Sequence, residues 1–178
     1  MSLKHALNIA TTLTLFTFTA PALAVDGYKN LKFGMTVKEV ATSDICTFRP
    51  AQAPQAGVTQ LNCHDFAFGD HTTSAAAFFI DAKFLRFGFE VPMAMATELV
   101  EMLADKYGPP SFSPSNESLV AIETIPNSSV FVGFDNDTVL LTFFSDEFLI
   151  QSASLIYTSP DYNVLLRNKI KTSVSNDL

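Results

Sequence analysis

The side chains with the widest chemical repertoire in this chain crowd into one short stretch, Cys63-His64-Asp65 followed by Asp70-His71. Imidazole, thiolate and carboxylate are the usual donors to zinc, and a histidine near a carboxylate is the commonest general base. The spacing argues against a single metal centre. His64 and His71 are separated by an odd number of residues and straddle the Gly69-Asp70 turn, so one regular strand cannot aim both at one ion. A cysteine held in a disulfide is no ligand either. Asp135-Asn136-Asp137-Thr138 has the flavour of a calcium loop, but a full EF-hand also needs a central glycine and a distal glutamate, and turn chemistry explains the same residues. Gly-x-Ser-x-Gly, His-Glu-x-x-His and phosphate-cradling glycine motifs are all absent from the sequence. We therefore assign no catalytic residue, no metal site and no cofactor.

What must position these groups begins with the first 24 residues. Lys4 and His5 give a basic start, Ala6 to Phe18 is mostly apolar, and Pro21-Ala22-Leu23-Ala24 ends in a small-x-small pattern. That is the layout of a secretory signal peptide; the apolar stretch is short and threonine-rich for a membrane span. Cleavage after Ala24 leaves 154 residues, with ten cationic against eighteen acidic side chains and a net charge of −8. Such a surface has no electrostatic footprint for nucleic acid or anionic lipid. Position 25 is valine, so no lipid-anchoring cysteine follows the cleavage point. The expected location is the periplasm or outside the cell, without stable membrane insertion. Cys46 and Cys63 are the only cysteines and in an oxidising compartment most simply pair with each other. A reactive thiol and a metal-ligand pair are the alternatives, with a spacing far wider than Cys-x-x-Cys.

The elements follow from capping and periodicity. Thr36 and Glu39 form a capping box, with Met35 and Val40 as its hydrophobic staple, at the start of a short helix that Ser43 and Asp44 interrupt. Arg49 to Gly57 reads as a loop. Strands occupy Val58 to Val91, and the opposite parity of Leu61/Cys63 and Phe66/Phe68 calls for a β-bulge near His64-Asp65 or else for a strand buried on both faces. In the last of these strands Leu85, Phe87, Phe89 and Val91 alternate with Arg86, Gly88 and Glu90, as in an antiparallel sheet with one wet face. A longer helix opens at Pro92, carries the stripe Ala96, Leu99, Val100, Leu103 and Tyr107, and stops at Gly108-Pro109-Pro110. Ser111 to Ser118 reads as a polar loop and Leu119 to Thr158 as strands, with a hairpin turn at Asp135-Asn136-Asp137. Ser159-Pro160 would start a last helix bearing Tyr162, Leu165, Leu166 and Ile170. The predicted fold is α+β, with antiparallel sheet packed against helices over residues 25–171. It divides into half-repeats 25–91 and 92–158, a terminal helix, and a flexible tail at 172–178.

Leu31-Lys32-Phe33-Gly34-Met35-Thr36-Val37-Lys38-Glu39-Val40 and Lys106-Tyr107-Gly108-Pro109 resemble segments of the SmpA/OmlA (BamE) and β-lactamase-inhibitor-protein-like superfamily of exported bacterial modules. The resemblance implies a helix packed on antiparallel sheet and a protein partner in the cell envelope. It transfers no functional residue, and the missing lipoprotein cysteine departs from the envelope-assembly members.

The function these features predict is binding of another exported or envelope macromolecule, as an inhibitor, immunity factor or assembly partner. Arg86 is the candidate contact residue, since it points to the wet face beside an aromatic-rich strand, although a merely solvated arginine fits the same pattern. Two further classes compete. A carrier of a small apolar ligand would use the fifteen phenylalanines left after the leader to line a cavity between sheet and helices. A hydrolase with an unrecognised site would bring a histidine to a carboxylate in a cleft. The leader reading is checked by the intact mass of the exported protein, which is expected to correspond to a chain starting at Val25.

Overall fold

The computed structural model describes residues 25–177; the predicted leader lies outside them. Two-residue strands β1 (Gly27–Tyr28) and β2 (Leu31–Lys32) form a small hairpin. The helix α1 (Val37–Ala41) starts as its sequence predicts. The Thr36 hydroxyl accepts from the Glu39 amide at 3.3 Å, and the Glu39 carboxylate accepts from the Thr36 amide at 2.7 Å.

A seven-stranded antiparallel sheet forms the body of the protein. Its strands are β3 (Arg49–Pro50), β4 (Thr59–Phe68), β5 (His71–Ile80), β6 (Lys83–Val91), β7 (Ser129–Phe134), β8 (Val139–Ser145) and β9 (Gln151–Thr158), in the order β3-β4-β5-β6-β9-β8-β7. Two meanders, β4–β6 and β7–β9, therefore meet at their third strands. Between them in the chain come a 3₁₀ turn at Met93–Met95, α2 (Ala96–Tyr107) and α3 (Asn116–Thr124); α4 (Tyr162–Asp177) ends the fold. An α+β architecture of helices and antiparallel sheet is what results.

The core lies on one face of the sheet. Phe66, Phe87, Phe89 and Tyr157 point there and enclose Tyr28, whose ring centroid lies 4.9–5.9 Å from all four. Leu99 and Leu103 of α2, Val40 of α1 and Leu141 of β8 complete it. Such offset and tilted aromatic pairs add roughly 0.5–1.5 kcal/mol each beyond their area burial.

Several local departures have identifiable causes. The bulge between Cys63 and Phe66 is present, and it puts both residues in the core. A second register shift separates Phe78 from Phe79 opposite β6, and it breaks the predicted alternation: Phe84 enters the main core while Leu85 turns to the other face. Leu85 packs there with Val58, Ile80 and Tyr162, which is how α4 is fastened. Residues 116–124 are helical where strand or loop is predicted, because the Ser115 side chain caps α3 by accepting from the Ser118 amide. At the C-terminus α4 continues to Asp177, through residues predicted as tail, and Ile170 of its apolar set is 44% exposed.

Cys46 and Cys63 are joined in a disulfide, tying the segment after α1 to β4. On the chain-entropy account a loop of this size gives roughly 3 kcal/mol. Replacing both cysteines by serine is expected to lower unfolding free energy by about that amount, measured by urea titration under non-reducing conditions.

Candidate functional site

The face of the sheet opposite the core is only partly covered, and the strand register writes its composition. Three rows run across it. Gln60, Phe78, Arg86 and Thr158 are cross-strand neighbours in the first, and Asn62, Ala76, Gly88, Ile156 and Leu140 in the second. The third contains Glu90, Ser154 and Thr142, with Ser74 and His64 beyond Glu90. The middle row is low because Ala76 and Gly88 carry almost no side chain. The result is a trough of about 400 Å³, walled by Phe78, Ile156 and Arg86 and ending near Glu90 and His64.

Arg86 is the notable group in it. It stands on the face its strand parity predicts, yet it is half-buried rather than fully solvated, because α4 crosses that end of the sheet. Its guanidinium lies 3.8 Å from the Tyr162 ring centroid, Nε donates to Thr158 Oγ1 at 3.1 Å, and an Nη donates to Asn163 Oδ1 at 3.4 Å. Among the described residues the ion pairs are Lys32–Asp26 and Lys169–Asp81, and Arg86 has no carboxylate partner. Burial lowers its pKa, with the Tyr162 phenol acting the other way, but guanidinium remains a cation at any physiological pH. A cation removed from water without a counter-charge is costly, so this arrangement favours an anion from outside.

The other sequence-predicted groups do not converge. His64 Nδ1 and Ser74 Oγ are 3.0 Å apart, a nucleophile–base distance. Ser74, however, stands between His64 and Glu90, so that carboxylate does not orient the imidazole as triad chemistry requires. His71 sits at the far end of the β4–β5 hairpin, paired with Phe68. Asp65 lies close to both disulfide sulfurs, but oxidised sulfur does not ligate as thiolate. Its carboxylate instead accepts from the Thr47 amide at 2.9 Å, and the Thr47 hydroxyl and amide hold it below the ordinary carboxylate range. Asp135, Asn136 and Asp137 all adopt positive φ and form the β7–β8 turn.

A feature that sequence reasoning passes over is the β8–β9 connection. Phe148, Leu149 and Ile150 are consecutive and 74, 41 and 65% exposed. They are held in place nonetheless. Asp146 Oδ1 accepts from the amides of both Phe148 and Ile150 at 2.8 Å, and the Asp146 carbonyl accepts from Asn127 at 3.3 Å. Leu149 is fixed in a left-handed conformation at φ 62°, a cost of about 1–2 kcal/mol for an ordinary residue. Three apolar side chains are thus presented to solvent on an ordered tip.

Residues 28–177 match the model of a family described as "Uncharacterised protein". The chain belongs to that family. It is also similar to an uncharacterized protein of Haemophilus influenzae, with 33% identity over the full length of both chains. An uncharacterized protein of Pasteurella multocida is 27% identical, the alignment covering 88% of this chain and 89% of that one. No solved structure matches the chain significantly.

On the core side a crevice of about 310 Å³ opens between β1 and α2, lined by Tyr28, Tyr107, Leu155 and Tyr157, with Lys29 and Lys106 also on its walls. Burial, helped by the neighbouring Tyr107, pushes the Tyr28 phenol up to about 12. The Tyr157 phenol is raised too, by burial first and then by Tyr107 and Tyr28. A phenol that ionises later in the fold than in the open chain stabilises the fold below pH 10, its ordinary value. Above that pH the unfolded state loses its proton first. Unfolding free energy is therefore expected to fall as pH rises from 10 towards 12, at up to about 1.4 kcal/mol per pH unit for each such group. Denaturant titrations across that range test this, and Tyr28→Phe should make the fall shallower.

Proposed function

We propose that this protein is an exported binding module that docks on another macromolecule of the cell envelope through the β8–β9 tip. The observation that carries the reading is the ordered exposure of Phe148, Leu149 and Ile150. Apolar side chains displayed together, with the backbone already fixed, mark interaction surfaces on soluble domains, and pre-organisation removes part of the entropy cost of binding. Asp146 and Glu147 flank the tip, so the complementary socket is apolar with a basic rim.

Export and a periplasmic location belong to this proposal. The disulfide supports them. So does the Val25 nitrogen, which lies 2.8 Å from Asp135 Oδ2; after cleavage at Ala24 that nitrogen would be an α-ammonium and the contact an ion pair. No helix among the described residues is long and apolar enough to cross a membrane. The resemblance to the SmpA/OmlA and β-lactamase-inhibitor-protein-like modules points the same way, towards a protein partner. A carrier of a small apolar ligand is the second reading, favoured by the crevice beside Tyr28 and α2.

The test is capture from a periplasmic extract with the wild-type protein and with a Phe148→Ser, Ile150→Ser double variant. The wild type is expected to retain a partner that the variant loses, while the variant's stability changes by no more than about 0.5 kcal/mol per substitution, as for exposed sites. Failure to retain any protein, or retention indifferent to the substitutions, would overturn the reading.

A further inference from the structure

The trough on the open face of the sheet is independent of the tip and carries its own chemistry. At one end stands Arg86, held by Tyr162, Thr158 and Asn163 and lacking a carboxylate partner among the described residues. At the other stands Glu90, exposed and four residues further along the same strand, so the Cα atoms of the two residues are about 13 Å apart at the strand rise of roughly 3.3 Å per residue. The floor between them is Ala76 and Gly88, and Phe78 and Ile156 form apolar walls. Ser154 Oγ and the Asn62 side-chain nitrogen line the same space. Neither has a hydrogen-bond partner among the described residues, Asn62 using only its Oδ1, towards Gln60. A volume of about 400 Å³ is within the range of small-ligand sites.

We propose that this trough binds a short extended peptide with free ends, its terminal carboxylate on Arg86 and its amino group towards Glu90. The polarity of the site selects that occupant. A cation and an anion at opposite ends of an apolar channel match a zwitterion, whereas a fatty acid would leave Glu90 beside hydrocarbon. Extended chain advances about 3.3–3.6 Å per residue, so three or four residues span the run of strand from Arg86 to Glu90. Asn62, in the row of Gly88, lies midway along that span, and Ser154, opposite Glu90, lies at its amino end, where they meet peptide polar groups. Arg86 supplies a planar fork of donors suited to a carboxylate, and stacking on Tyr162 fixes its orientation before the ligand arrives. The ligand lies on the face of the sheet, not along an edge, so side-chain recognition and not strand addition sets its affinity.

The experiment uses the mature protein and tetra-alanine, followed by amide chemical shifts in an NMR titration. Saturable shifts centred on Gly88, Glu90 and Ile156 are expected. C-terminal amidation and Arg86→Met should each weaken binding by about tenfold or more, as for a desolvated charge pair. N-terminal acetylation and Glu90→Gln should cost only about threefold, as for an exposed pair. Gly88→Val fills the floor and should abolish binding; a Cβ there meets Ile156 at 3.5 Å, an ordinary contact, and an amide spectrum otherwise unchanged from wild type shows that the fold is kept. Absence of saturable shifts would overturn the proposal. So would binding indifferent to both amidation and Arg86→Met, or tighter binding of octanoate than of the peptide.

Discussion

The pairing of β6 with β9 is the interaction on which the rest of the structure depends. It joins the two meanders into one sheet, and its register sets Phe87 opposite Tyr157 and Phe89 opposite Leu155. Those side chains, with Phe66, build the aromatic nest that receives Tyr28. The same register necessarily sets Arg86 opposite Thr158, Gly88 opposite Ile156 and Glu90 opposite Ser154 on the reverse face. Side chains alternate across a strand, so a slip of one residue would carry the aromatic rings into water and the charges into the core. The core thus enforces the trough: several buried rings specify where two charges and a glycine must stand.

The reverse face stays open because, among the described residues, α4 covers only one end of it. α1 and α2 both contribute to the core side, and α4 crosses the other, fastened by Tyr162 within the small cluster of Val58, Ile80 and Leu85. That cluster exists because the register shift at Phe78/Phe79 turns Leu85 away from Phe87. One local irregularity therefore has two consequences. It gives α4 an apolar anchor, and it brings Tyr162 over the Arg86 guanidinium, converting a strand cation that would otherwise be solvated into a half-buried and oriented one.

Legibility in the sequence follows the range of the interactions. The capping box at Thr36/Glu39, the α2 stripe, the Asp135–Asp137 turn and the bulge after Cys63 are all decided within a few residues, and each is present in the structure. The β1–β2 hairpin is too short to leave a periodic signal, and its purpose, delivering Tyr28 to the nest, depends on residues more than thirty positions away. α3 lacks the glutamate of a capping box, and of its few apolar residues only Ile122 is buried, so its run resembles a strand. Arg86 is placed on the wet face by parity alone, but its burial depends on Asn163, 77 residues later. Phe148-Leu149-Ile150 reads as an ordinary apolar run; only the turn closed by Asp146 shows that it faces outward.

The trough and the tip are not placed at random relative to one another. β9 leaves the tip at Gln151, reaches Ser154 opposite Glu90, and arrives at Thr158 opposite Arg86. The apolar tip therefore lies at the Glu90 end of the trough, about 13 Å of strand beyond Ser154 at the usual rise. A macromolecule seated on Phe148 and Ile150 would stand at the mouth through which a peptide's amino end points. A C-terminal segment of that same macromolecule would keep the Arg86 contact and give up only the weaker one to Glu90; seating on the tip would raise its effective concentration at the trough, and two weak contacts would combine into one tight association. The short run of strand between the surfaces makes this geometrically possible, because β9 is paired on both sides, by β6 and β8, and holds the spacing rigid.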